Sequence, residues 1–197
     1  MNQPGLKVGD IYYADLDHNG TIDANDMTVI GNGFPKLNYG LTLNASYKNW
    51  DFSLYTYGVM GQDILSYSAM RLSVMKQGDD PSVANILREA YNESFTNNPN
   101  GSLPRLSLLD GENNNSRVSD FWIKSGDFLK ISNIQVGYTF PKTWLAPLKL
   151  TNARAYLAVS NLACISGYNK YGDPECGQGS VIYTGLDSGR YLSLIHI

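Results

Sequence analysis

The sequence predicts an all-β fold with helical insertions in a long loop: a partial transmembrane β-barrel of about four antiparallel strands. Three observations predict it. Four long runs alternate apolar and polar residues with the two-residue period of a strand. In the clearest, Phe128 to Pro141, about ten residues at about 3.3 Å each, tilted by roughly 45°, cover close to the 25 Å apolar band of an outer-membrane barrel. Long loops and short turns also alternate along the chain, the asymmetry such barrels show between their two ends.

Residues 1–36 read as a loop. Its sharpest feature is Asp15-Leu16-Asp17-His18-Asn19-Gly20-Thr21-Ile22-Asp23-Ala24-Asn25-Asp26. Oxygen-bearing side chains fall at positions 1, 3, 5, 9 and 12, with Gly at 6 for the sharp turn, which is the spacing of a calcium loop. Asp15, Asp17 and Asn19 are expected to ligate by side chain, Thr21 by its carbonyl, and Asp23 directly or through water. Asp26 takes the last position, where an EF-hand has the longer Glu. The cation, Ca2+ or another divalent ion, would be structural. The extended look of Asp10-Ile11-Tyr12-Tyr13 argues against a paired-helix EF-hand, and the bland alternative is a solvated Asp/Asn turn.

Residues 37–59 read as a barrel hairpin. Tyr39, Leu41, Leu43, Ala45 and Tyr47 alternate with Gly40, Thr42, Asn44 and Ser46; after a tight turn at Lys48-Asn49-Trp50-Asp51, Trp50, Phe52 and Leu54 alternate with Asp51, Ser53 and Tyr55. Residues 60–127 form the longest connection. Ile64, Leu65, Tyr67, Ser68, Leu72 and Met75 recur at helical spacing, and a second helical segment is expected over 82–95 with Ser82 as N-cap. The Asn-rich remainder reads as irregular. A second hairpin spans 128–161: Ile134, Val136, Tyr138 and Phe140 oppose Gln135, Gly137 and Thr139, and a bend from Pro141 to Pro147 leads into the run from Ala153 to Asn161. Residues 162–191 form a last loop. On the polar faces, Thr42, Asn44, Ser46, Ser53, Tyr55, Tyr57 and Gln135 are the candidates to face a barrel lumen.

Composition narrows the function classes. Charged residues are 17%, low for a soluble surface, while the 14 Tyr suit places with one dry end and one wet end. Net charge is -3 and no basic run forms, which argues against nucleic acid as a partner. Nothing approaches the roughly 20 apolar residues of a spanning helix, so any crossing must use strands. The two His, His18 and His196, and the lack of GxSxG, HExxH or P-loop motifs predict no enzyme. Cys164 and Cys176 fit a disulfide or two thiols equally. The polar start MNQPGLKVGD carries no signal peptide, as expected of an internal piece.

The run from Trp122 to Pro141, WIKSGDFLKISNIQVGYTFP, resembles the C-terminal signature of SusC/RagA-type TonB-dependent outer-membrane transporters. Gly9-Asp10-Ile11 with the DxDxNGxID loop and Val29-Ile30-Gly31, then Ser160-Asn161-Leu162, then Tyr171-Gly172-Asp173-Pro174-Glu175 match the family in the same order. The resemblance implies a barrel of roughly 22 strands with an N-terminal plug, of which this chain holds about four C-terminal strands. It implies import of oligosaccharides or peptides across the outer membrane, a SusD-like surface lipoprotein as partner, and the TonB complex acting through parts outside this chain. The loops 1–36, 60–127 and 162–191 are then extracellular, with Trp122 and Tyr67 as candidates to stack on sugar rings. Residues 192–197 depart from the family, where a final aromatic-ended strand is expected. The alternative is a soluble calcium-stabilised extracellular binding module, although a dockerin would repeat the loop found here once.

Overall fold

The computed structural model describes residues 3, 5–74, 88–107, 115–177 and 183–187. In chain order the strands are β1 (Leu37–Tyr47), β2 (Trp50–Met60), β3 (Asp63–Ser66), β4 (Ile123–Ser125), β5 (Phe128–Thr139), β6 (Arg154–Ser166) and β7 (Leu186–Asp187). The helices are α1 (Tyr67–Ser73), α2 (Arg88–Glu93) and α3 (Lys142–Leu145). They gather into two compact units, one of residues 34–63 and 125–175, the other of 1–33, 64–124 and 176–197.

The first unit is the predicted antiparallel sheet, in the order β1-β2-β5-β6. β1 and β2 pair over their whole length, from Leu37 opposite Met60 to Tyr47 opposite Trp50, through a two-residue turn at Lys48-Asn49. The turn is one step tighter than the sequence suggests, because Lys48 takes a left-handed backbone, φ 55°, that reverses the chain at once. β5 then pairs along β2, and β6 along β5.

β6 differs from its predicted end. It continues past Asn161 to Ser166, since Asn161 (φ 52°) forms a bulge and the register with β5 resumes at Ala163 opposite Ile131. A polar residue that looks like a strand terminus is here a bulge residue tolerant of the left-handed region.

Two glycines let side chains cross over a strand. Tyr39 on β1 reaches over Gly58 of β2, and its hydroxyl donates to the Phe128 carbonyl of β5 at 2.9 Å. On the other face, Asp51 of β2 and Arg154 of β6 meet above Gly137 of β5. A Cβ on Gly137 would lie 2.5 Å from both Asp51 carboxylate oxygens and 2.6 Å from the Arg154 guanidinium.

The apolar face of the sheet is uncovered: Leu41 is 59% and Leu157 72% exposed, with Leu43, Trp50 and Ile165 also open. A contiguous apolar face of this size is a lipid or protein contact surface.

The second unit holds the small sheet β4-β3-β7, with β3 and β7 parallel. Its core is Met70, Val74 and Trp122, packed by Ile11, Leu65, Leu103 and Phe121. The predicted helix over Ile64 and Leu65 is a strand there instead. The Leu65 N–H donates to the Gly185 carbonyl at 2.8 Å, so pairing with β7 takes the backbone that helical spacing would have used. The helix begins one turn later, where the Ser66 hydroxyl accepts from the Ala69 N–H as N-cap. Of the second expected helix, 82–95, α2 is the described part; Ser82, Met75 and the 192–197 tail lie outside the described residues.

Candidate functional site

Directly opposed residues in antiparallel strands put their side chains on one face, so the register defines what the polar face of the large sheet carries. Gly40, Tyr57, Lys130 and Cys164 form the row nearest the long connections. Thr42, Tyr55, Asn133 and Ser160 form the next, then Asn44, Ser53, Gln135 and Ala158, then Ser46, Asp51, Gly137 and Tyr156. All seven lumen candidates, Thr42, Asn44, Ser46, Ser53, Tyr55, Tyr57 and Gln135, share this face. Alternation placed Asp51 with Ser53 and Tyr55, but it could not show that Lys130 and Asn133 share this face, because a bulge between them breaks the period of two.

At one end of this face, the Tyr57 hydroxyl donates to Glu175 and the Lys130 ammonium pairs with the same carboxylate. Tyr55 and Tyr57 stack with centroids 5.9 Å apart and planes at 27°, and Phe128 meets Tyr57 edge-on at 6.0 Å. At the other end Arg154 pairs with Asp51 at 2.5 Å. Hydroxyls, amides, compensated charges and phenol faces together suit hydrogen bonding and stacking with a hydrated polar solute. Glu175 lies in the Tyr171–Glu175 stretch, whose family likeness was the one sequence signal that could have found it.

The Asp-rich loop folds as a compact turn. The carboxylates of Asp15, Asp17 and Asp26 bring oxygens within 4.8 Å of one another, with Asp15 buried. Asp26 closes the loop on its own beginning: it accepts from Leu16 N–H at 2.7 Å and from Asp23 N–H at 2.8 Å. The Asp23 N–H bond, against the opposing cost of burial, and the bonds from Leu16 and Asp17 with the Arg117 charge, hold the Asp26 carboxyl below its ordinary pKa.

Asp23 and Asn19 also bond within the turn. Asp23 caps the short turn Ala24–Asp26 by accepting from Asn25 N–H at 2.7 Å, and the Asn19 side-chain amide oxygen accepts from Thr21 N–H at 2.7 Å. Three hard carboxylate oxygens in one cluster fit a divalent cation. Beside the loop a cavity of about 550 Å³ is lined by Tyr13, Leu16, Ile22, Met27, Ile30 and Val118.

The loop is held by a cluster that sequence reading missed. The fully covered Asp10 carboxylate takes both guanidinium nitrogens of Arg105 at 3.0 Å and the Asn115 amide at 2.9 Å, and Asn115 accepts from Ile11 N–H at 2.8 Å. Burial opposes the Asp10 charge, but these donors, the Lys7 N–H and the Arg105 charge set its pKa below the ordinary value. Trp122, a candidate for sugar stacking, is 1% exposed and donates its indole N–H to the Asn115 carbonyl at 3.1 Å. It is a core residue, unavailable to a ligand. Tyr67 stays partly open, with Arg71 over its ring at 6.0 Å.

An antiparallel sheet with a bare apolar face, a polar face and long connections at one end is the make-up of a piece of transmembrane β-barrel wall. No protein-family model matches the chain. It is 32% identical over 193 residues to the TonB-dependent receptor P39 of Formosa agariphila, covering 94% of this chain and 18% of that protein. It is 29% identical over 183 residues to the TonB-dependent receptor SusC of Bacteroides thetaiotaomicron, covering 91% of this chain and 16% of SusC. The structure of the RagAB peptide transporter superposes with a TM-score of 0.63 at 18% identity, covering 85% of this chain and 17% of that one. Along nearly all of its length the chain fits a fragment of a SusC/RagA-type TonB-dependent receptor. It spans less than a fifth of the length of these relatives.

Proposed function

We propose that this chain supplies barrel wall and extracellular loops to a TonB-dependent outer-membrane importer of oligosaccharides or peptides. It works with a SusD-like surface lipoprotein and, through parts of the protein outside these residues, with the TonB complex. The observation that carries this reading is the two-faced sheet: bare aliphatic residues on one side, and rows of hydroxyl, amide and phenol groups on the other. Thr42, Asn44, Ser46, Ser53, Tyr55, Tyr57 and Gln135 line the solute path, and the solutes are those that such groups hydrogen-bond and stack upon.

Deleting the gene in the bacterium that carries it is expected to abolish uptake of one labelled solute class, oligosaccharide or peptide, and the intact gene to restore it. Unchanged uptake of both classes overturns the reading. Affinity purification of the restored receptor is expected to retain a lipidated surface protein.

The Asp-rich loop is proposed to hold a structural Ca2+ or another divalent cation through Asp15, Asp17 and Asp26, with Asn19, Thr21 and Asp23 completing the shell. The ion would neutralise converging carboxylates and pin the loop. For the full-length receptor, calcium at a hundredfold excess over Kd would add about 2.7 kcal/mol of stability to the unit that binds it. Protease resistance of residues 5–33 is expected to rise with calcium and fall with a chelator, and Asp17→Ala is expected to remove the difference. Equal cleavage with and without calcium overturns the ion.

A further inference from the structure

The turn end of the large sheet gathers an aromatic cluster and three lysines. On the apolar face Trp50 and Tyr138 rings lie 4.8 Å apart, Tyr138 and Phe140 5.3 Å, and Phe140 and Trp144 6.5 Å. Beyond them α3 and the turn Ala146–Leu148 are anchored by buried Leu145 and present Trp144 and Leu148 at 63% and 68% exposure. Lys48, Lys142 and Lys149 are all exposed here. Lys48 lies over the Tyr47 ring at 5.2 Å. From Ser46 to Asp51 and from Thr139 to Arg154 the sole acid is Asp51, and Arg154 already neutralises it.

The backbone adds an independent sign. Lys48 and Lys149, in two separate turns, both take left-handed conformations, φ 55° and 54°, that Gly or Asn adopts at lower cost. The backbone of neither turn calls for lysine.

We infer that this end of the sheet is a docking surface for anionic phospholipid headgroups, with Trp144 and Leu148 seated in the interface and Lys48, Lys142 and Lys149 paired with lipid phosphates. Amphipathic aromatics belong at headgroup depth, and lysine stems lie along apolar surface while their ammonium groups reach the phosphate layer. This rests on the proposed function only for placing the sheet in a membrane, and is indifferent to the solute carried.

The test uses the full-length receptor in neutral detergent, titrated with phosphatidylglycerol or phosphatidylethanolamine and read by native mass spectrometry. The variant Lys48→Asn/Lys142→Gln/Lys149→Asn keeps residues that suit the left-handed turns, so its melting temperature in detergent is expected to match or exceed that of the parent. Affinity for phosphatidylglycerol is expected to fall about fivefold for each lysine neutralised at low salt, with phosphatidylethanolamine unaffected. Equal phosphatidylglycerol affinity in parent and variant, or no preference for it in the parent, overturns the inference. Should the triple variant not assemble, Lys142→Gln alone decides on the same criterion. A receptor that carries neither solute class yet keeps the lipid preference defeats the functional reading and leaves this one standing.

Discussion

Asp10 shows how one carboxylate organises a loop. It is fully covered, faces Arg105 on two nitrogens and takes an amide proton from Asn115. Its folded pKa lies below the unfolded value of about 3.9, so its contribution is complete above that pH and is lost as pH falls through the folded value. The protection factor of the Ile11 amide, its exchange rate relative to the intrinsic rate at each pH, should therefore fall in strong acid and hold steady between pH 5 and 8. Asp10→Asn leaves Arg105 without its counter-charge, and local opening of residues 5–14 should become easier by about 2–4 kcal/mol, read by exchange at pH 7. Asp26 carries the same sign, so its bonds to the Leu16 and Asp23 N–H groups are expected to persist to mildly acid pH. Gly137 makes a different point at this scale. Gly137→Ala puts a methyl group into the Asp51–Arg154 contact and should cost about 1–3 kcal/mol. In an Asp51→Ala background the same change should cost less, a non-additivity that a melting-temperature cycle measures.

At the scale of elements, the long strands were legible because their two faces differ in polarity. Tyr39 to Tyr47 and Ile134 to Phe140 alternate without interruption, and no tertiary neighbour overrides a period of two. The misread pieces failed for identifiable reasons. Ile64 and Leu65 satisfy helical spacing, but a two-residue parallel partner far along the chain, Leu186–Asp187, pairs with Leu65 and Ser66 and holds the segment extended, and such a partner leaves no local trace. Asn161 has the chemistry of a strand end and serves as a bulge. Asn161→Val places a β-branched residue in the left-handed region; the expected loss is about 1–2 kcal/mol, while Asn161→Gly should fall within about 0.5 kcal/mol of the parent. Equal effects would show that the bulge geometry is not what the residue supplies. Of the candidate cation site, the order of oxygen-bearing side chains could be read directly. Which of the carboxylates converge could not, because only the folded turn brings the oxygens of Asp15, Asp17 and Asp26 within 4.8 Å of one another.

For the whole molecule, the sequence carried the class of fold and the two-faced character of the sheet, while connections between distant segments stayed hidden. Trp122 illustrates the limit: an aromatic in an Asn-rich connection resembles an exposed ligand platform, yet it is the centre of a small core assembled from residues 11, 65, 70, 74, 103 and 121. The two glycine crossings have a mechanical meaning. The Tyr39 phenol ties the first strand to the third in sheet order, and Asp51–Arg154 ties the second to the fourth, each skipping the strand between. A pull on any one strand is thus shared with a strand that it does not border. The wall resists shear as a laminate does, and peeling one ply requires tearing a stitch that runs through the next.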